Sequence, residues 1–193
     1  MYVLVESGII TKHFNKPRGF TLGDNQYPAG IFTKWSTAEK EAIGIYGVVF
    51  DDSNKKDEQW YINTNQSFAF ANDTVTASYG PATAQAHADV TETIDGVEST
   101  TPGLKTNLIK DLKTTVANIL AKTDWYITRN TEKSTAIPSS ITTYRDAVRT
   151  KQASIEAQIT GAADTAALET LHTYTTTDGV QSRPLGTLPT LEL

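Results

Sequence analysis

The chain has 193 residues, a formal net charge of −5 and no cysteine. That length suits one medium domain or two small ones, and the missing cysteines exclude disulfides, thiolate metal sites and a cysteine nucleophile. An acidic chain without a basic stripe argues against nucleic-acid binding.

The charge is unevenly spread. Residues 1–103 sum to −6, residues 104–160 to +4 and residues 161–193 to −3. A middle segment of opposite sign suits docking between copies or onto an acidic partner. Its plainer reading is a solvated helix face. No apolar run approaches the roughly 20 residues of a membrane span, and MYVLVESGIITKHF lacks a basic start followed by an apolar stretch. Neither a transmembrane helix nor a signal peptide is therefore expected.

The stretch YVLVESGIITKHF predicts a hairpin, because two runs rich in Val and Ile flank the turn pair Ser7-Gly8. Residues 15–30 read as irregular, with Pro17, Gly19, Gly23, Pro28 and Gly30. Ser36 and Glu39 form an S-x-x-E capping box, which starts a short helix that Gly44 ends. IYGVVF then predicts a strand. After the charged turn DDSNKKDEQ, the runs WYINT, SFAFA and TVTASY predict a β-meander with turns at Asn65-Gln66 and Asn72-Asp73. Residues 81–103 are small and polar and read as a linker or arm.

The period changes at residue 104. Leu104, Leu108, Leu112, Val116, Ile119 and Leu120 form one helical stripe. A second helix is expected after Pro138, with Ile141, Tyr144, Val148, Ile155 and Ile159 on one face and a stop at Gly161. Asp164 caps a third, shorter helix. Pro184, Gly186 and Pro189 leave residues 175–193 as an extended tail without a core of its own. The expected fold is α+β: a small antiparallel β-rich N-terminal domain over residues 1–80, the polar segment 81–103, a three-helix region over 104–174 and the tail.

Chemistry is hard to place on this chain. His13, His87 and His172 have no partners at metal-ligand spacing, and there is no H-E-x-x-H, G-x-S-x-G or phosphate-cradling glycine loop. The acids sit mostly in polar turns, so a pair of catalytic carboxylates is not expected. Asn65-Gln66-Ser67 and Asn72-Asp73-Thr74 match glycosylation acceptors, discounted without a secretory signal. The reading is a non-enzyme with no cofactor and no metal.

The richest stretch is TDWYITRNTEKSTAIPSSITTYRDAVR. Asp124 follows the first helix and suits a turn that accepts backbone amides. Arg145 and Arg149 stand four apart on one helix face, and Asp124 is expected to pair with one of them across the helical hairpin. Trp125 and Tyr126 are expected to seal the end of that hairpin by packing. Trp35, Trp60 and Trp125 are all expected in the core, which disfavours a glycan- or receptor-binding platform.

These same residues resemble the signature of a tailed-phage domain often labelled tail assembly chaperone-like and found in tail-fibre-associated proteins. The matching positions are Thr123, Asp124, Trp125, Tyr126, Arg129, Ile137, Pro138, Tyr144, Arg145, Ala147, Val148 and Arg149. The likeness covers 60–70 residues with the flanking helices. GDNQYPAGIFTKWSTAEKEAIGIYGVVFDD is similar to a small module found beside that domain, especially in marine phages, and RPLG and LPTLE look like the ends of such proteins. The resemblance implies a structural or adaptor protein of the tail, at the fibre or baseplate, located in the virion and in the host cytoplasm during assembly. Its partners would be other tail or fibre proteins, with a homo-oligomer possible and no membrane. The alternative is a transient tail-fibre assembly chaperone absent from the finished particle. The resemblance supplies no catalytic residues. Asp124, Trp125, Tyr126, Tyr144, Arg145 and Arg149 are the clasp or interface candidates. Leu185, Leu188, Leu191 and Leu193 are apolar residues that an extended tail must hide against a copy, a partner or its own helices.

Overall fold

A computed structural model describes residues 1–191 of the chain. The expectation for Leu193 lies outside the described residues. The fold is α+β, and the chain divides into two compact units, Met1–Thr83 and a second from Ala84 on.

The first unit is built on a five-stranded sheet. Strands β1 (Tyr2–Glu6) and β2 (Ile9–Phe14) form the expected hairpin. Ser7 and Gly8 both take positive φ, 51° and 78°, as the two-residue turn that matches strand twist requires. The irregular segment contains more order than its prolines and glycines suggest. It holds a small hairpin of β3 (Phe20–Leu22) and β4 (Asn25–Tyr27) and a one-turn helix α1 (Ile31–Lys34).

The short helix α2 (Thr37–Glu41) starts at the capping box. Ser36 Oγ accepts the Glu39 amide at 3.3 Å, and the Glu39 carboxylate accepts the Ser36 amide at 2.7 Å. The hydrogen bond from the Ser36 backbone holds the Glu39 carboxyl below the usual range. Gly44 follows at φ 80°, where a Cβ would stand 2.4 Å from the Val5 carbonyl oxygen. Only glycine lets the chain pass this close and enter β5 (Ile45–Asp51).

Beyond β5 lie β6 (Tyr61–Ile62), β7 (Gln66–Ala71) and β8 (Thr74–Tyr79), followed by the two-residue β9 (Thr83–Ala84). β7 and β8 form the hairpin expected at Asn72-Asp73. The meander reading fails at its other strands: β6 stays out of the main sheet, and β8 pairs with β5 in parallel. The sheet order is β2-β1-β5-β8-β7. The His13 ring on β2 and the Phe68 ring on β7 are 4.7 Å apart, so the sheet curls until its outer strands meet.

Both faces of the sheet are covered. Val3, Val5 and Val75 pack with Phe68 and Phe70 on one face. Leu4, Phe14 and Ile45 pack under Phe20, Ile31 and Phe32 on the other.

The second unit opens with a hairpin where a polar linker or arm was expected. β10 (Val90–Ile94) and β11 (Val97–Thr101) pair antiparallel about Asp95-Gly96, which take φ 52° and 78°. Four helices follow, one more than the periodicity predicts: α3 (Leu104–Ala121), α4 (Asp124–Lys133), α5 (Ser139–Gly161) and α6 (Thr165–His172). The extra helix is α4, the polar stretch of the signature. It buries no residue, so it carries no apolar stripe for the eye to find. Asp164 caps α6 as expected, accepting the Ala167 amide at 2.8 Å.

The C-terminal reading also needs correction. Residues 175–182 are a second hairpin of this unit, β12 (Thr175–Thr177) and β13 (Val180–Ser182), turned by Asp178-Gly179. After it the chain packs onto its own helices. Leu185 is 3% exposed, and its amide donates to the Leu171 carbonyl at 3.2 Å. Leu185 joins Val116, Ile155, Ile159 and Leu168 in the buried core of the unit. A leucine next to a proline needs no helix to reach a core, and the reading of a tail without a core missed this.

Candidate functional site

α3 ends at Ala121 with Lys122 as its cap, and α4 begins at Asp124. The end of α3 leaves carbonyls without helical partners. Arg145, from the buried stripe of α5, supplies one. Its Nη1 donates to the Leu120 carbonyl at 2.9 Å and to Thr123 Oγ1 at 2.6 Å. The same nitrogen lies 2.9 Å from Asp124 Oδ1. The guanidinium thus ties α5 to the end of one helix and the start of the next. Asp124 also sits in the first turn of α4, where the helix dipole favours a carboxylate.

The expected pairing of Asp124 with one of the arginines is therefore present, and Arg145 is the partner. Arg149 is elsewhere: it is exposed and meets Asp146 on its own helix at 3.3 Å. Tyr144 is half-buried. Its neighbours Ser140, Thr143 and Ala147 line a shallow depression with Leu191 and Pro189. The clasp has a member outside the expected set: Thr123, 1% exposed, which also donates to Leu120 at 2.9 Å.

Trp125 does not seal the helical hairpin. It is 50% exposed. Its ring stacks on Tyr126 with centroids 3.7 Å apart. Arg129, one turn on, lays its guanidinium 4.8 Å from the Trp125 ring and 5.4 Å from the Tyr126 ring. Exposed Ile127 adjoins them on the same short helix. The physical reason is polarity: α4 buries no residue, so Trp125 has no core to enter, while Tyr126 and Arg129 are half-buried beside it. Trp60 is buried as expected at 3% exposure, and Trp35 is half-buried.

Such a stack is a preformed surface. Trp, Tyr and Arg are the residue types that dominate interface energies, and stacking holds their rotamers before any partner arrives. The sequence signal for it was Arg129 standing four after Trp125 and three after Tyr126, a spacing that places all three together once the segment is helical.

A second feature lies beneath the C-terminal segment. A cavity of about 270 Å³ is lined by Leu112, Ile159, Leu185 and Leu188, with Asp111, His172 and Arg183 around it. Leu188 thus faces its own helices. Arg183 is held by the Gly186 carbonyl at 3.1 Å and by the Tyr174 ring at 5.0 Å.

Among the described residues no group of three His, Asp or Glu side chains is placed to hold a metal ion. No helix there is long and apolar enough to cross a membrane. The chain matches no protein-family model, no curated protein and no solved structure.

Proposed function

We propose that the chain is a structural or adaptor protein of a phage tail, associated with the fibre or baseplate, acting through protein contacts and performing no chemistry. The observation that carries this reading is the Trp125–Arg129–Tyr126 cluster on α4, in which Trp125 is exposed and Tyr126 and Arg129 are half-buried beneath it. It is a rigid contact surface mounted on a buried clasp, which is what an adaptor needs and an enzyme does not. The pattern of residues 123–149, which resembles tail-fibre-associated domains, supplies the setting. Its partners are then other tail or fibre proteins, its place the tail, with the host cytoplasm as the site of assembly.

Mass spectrometry of purified virions tests the proposal. A fixed copy number relative to the known tail subunits supports it. Presence in infected cells with absence from the finished particle replaces it with the transient assembly chaperone. Absence of any tail or fibre protein from pull-downs of infected cells overturns both.

A further inference from the structure

The hairpin of β10 and β11 stands in solvent on both faces. Every one of its strand residues is exposed. Its register puts Val90, Glu92, Ile94 and Val97 on one face, with Ile94 and Val97 directly opposite each other and 60% and 67% exposed. The other face carries Thr93, Glu98, and Thr91 and Thr100, whose hydroxyls share a hydrogen bond at 2.8 Å. A lone two-stranded hairpin is at best marginally stable in water.

This one is firmly rooted. The carbonyls of Ala86 and His87 accept the first two amides of α3, from Leu104 and Lys105, at 2.9 and 3.0 Å. Asp89 accepts the Gly103 amide at 2.8 Å. A Cβ on Gly103 would stand 2.3 Å from the Ala88 carbonyl. The base is fixed on the helix while an apolar face and an acidic edge stand in solvent.

The charge of the arm is one-sided. Residues 81–103 hold Asp89, Glu92, Asp95 and Glu98 and no Lys or Arg. The outer face of α3 is the opposite. Thr106, Ile109, Lys110, Lys113 and Thr114 line a shallow depression with cations and no acid. Lys113 reaches Glu156 only loosely, at 3.8 Å, and Lys110 makes no ion pair among the described residues.

We infer that the β10–β11 arm of one copy docks on the α3 face of a second copy, its apolar face over Ile109 and Glu92, on that same face, against Lys110 and Lys113. Opposite charge selects the register, and the apolar face contributes what charge alone does not. The two surfaces differ, so the contact is heterologous: each copy offers an arm to one neighbour and a helix face to another, and the array closes as a ring or runs on as a filament. The inference rests on the reading of the chain as a contact-forming assembly protein, but its test uses purified protein alone, so failure here leaves incorporation into virions untouched.

Sedimentation over a range of concentrations reads the outcome. The wild-type chain is expected to associate beyond the dimer, less so as added salt screens the charges. Glu92→Lys and Lys110→Glu/Lys113→Glu change only solvent-facing groups, and circular dichroism checks that each remains folded. Each variant alone is expected to associate roughly tenfold more weakly or worse. Their equimolar mixture pairs the native arm with the native face and the reversed arm with the reversed face, so association returns in the mixture. Three results overturn the inference: a wild-type chain that stays monomeric, variants that associate like wild type, or a mixture no different from its components.

Discussion

Replacing Arg145 with Met separates the work of the buried hydrogen bonds from that of the ion pair. Arg145 is 8% exposed, and its Nη1 reaches the Leu120 carbonyl, Thr123 Oγ1 and the Asp124 carboxylate. Met keeps most of the aliphatic stem in the stripe of Ile141 and Val148 and deletes the guanidinium. A hydrogen bond from a charged group contributes about 1.5–3 kcal/mol. The Leu120 carbonyl is not orphaned, because the Thr123 amide and hydroxyl still donate to it at 3.0 and 2.9 Å. The loss should therefore be about 2–3 kcal/mol, below the sum of the separate bonds. For a unit of this size that lowers the melting midpoint by about 8–12 °C. Asp124→Asn is the comparison. The Asp124 side chain is 59% exposed, water screens the pair, and the amide oxygen still accepts, so the cost should stay below about 1 kcal/mol. Thermal and urea unfolding followed by circular dichroism measure both. Equal losses for the two variants, or no loss for Arg145→Met, would refute the view that the guanidinium holds the helices through the end of α3.

Leu185→Ala should destabilise the second unit by about 2–4 kcal/mol, as for other buried leucines, and deletion of residues 178–193 should cost several degrees of melting. Unchanged melting of the truncated chain would restore the reading of a free arm. Trp125→Ala should cost less than about 1 kcal/mol, since half the residue already faces water, while weakening capture of a tail partner in pull-downs from infected cells; a large loss of stability would put the indole in a core instead. Asp89 should give an acid limb to stability. Its carboxyl is held below the usual range by the Thr106 hydroxyl and then the Gly103 amide. Its contribution is full above the unfolded value near 3.9 and is lost as pH falls through the lower folded value. Asp89→Asn should flatten that limb in melting curves across the acid range, and an unchanged limb would show the anchor to be unimportant.

Strong local signals were readable in the sequence. The capping box at Ser36 and Glu39, the hairpins at Ser7-Gly8 and Asn72-Asp73, and the stripe from Leu104 to Leu120 all rest on contacts within a few residues. Two hairpins were passed over although Asp95-Gly96 and Asp178-Gly179 carry the strongest short turn signal there is. Their strands are Thr-rich and exposed on both faces, so the alternation that marks a half-buried strand is absent. The parallel pairing of β5 with β8 is set by tertiary packing, which no local window contains. The Asp124–Arg145 pair could be anticipated because charges of opposite sign flanked a predicted helical hairpin. The exposure of Trp125 could not, because it depends on a polar segment becoming a helix that buries nothing. For Leu185 the sequence leaves open a copy, a partner or the chain's own helices, because prolines rule out regular structure but do not say which surface an extended leucine meets; the structure selects its own helices.

The claim that the α4 stack is a contact surface in the assembled particle can be tested by chemical protection. The chain has no cysteine, so Ile127→Cys, exposed beside the stack, and, as a control on the exposed side of α5, Thr150→Cys each introduce a single thiol. Maleimide labelling rates are compared for the free protein and for purified virions carrying each variant. The expected result is that the thiol at position 127 reacts quickly in the free protein and is strongly protected in the particle, while the thiol at position 150 keeps its rate. Equal labelling of position 127 in both states would contradict the claim.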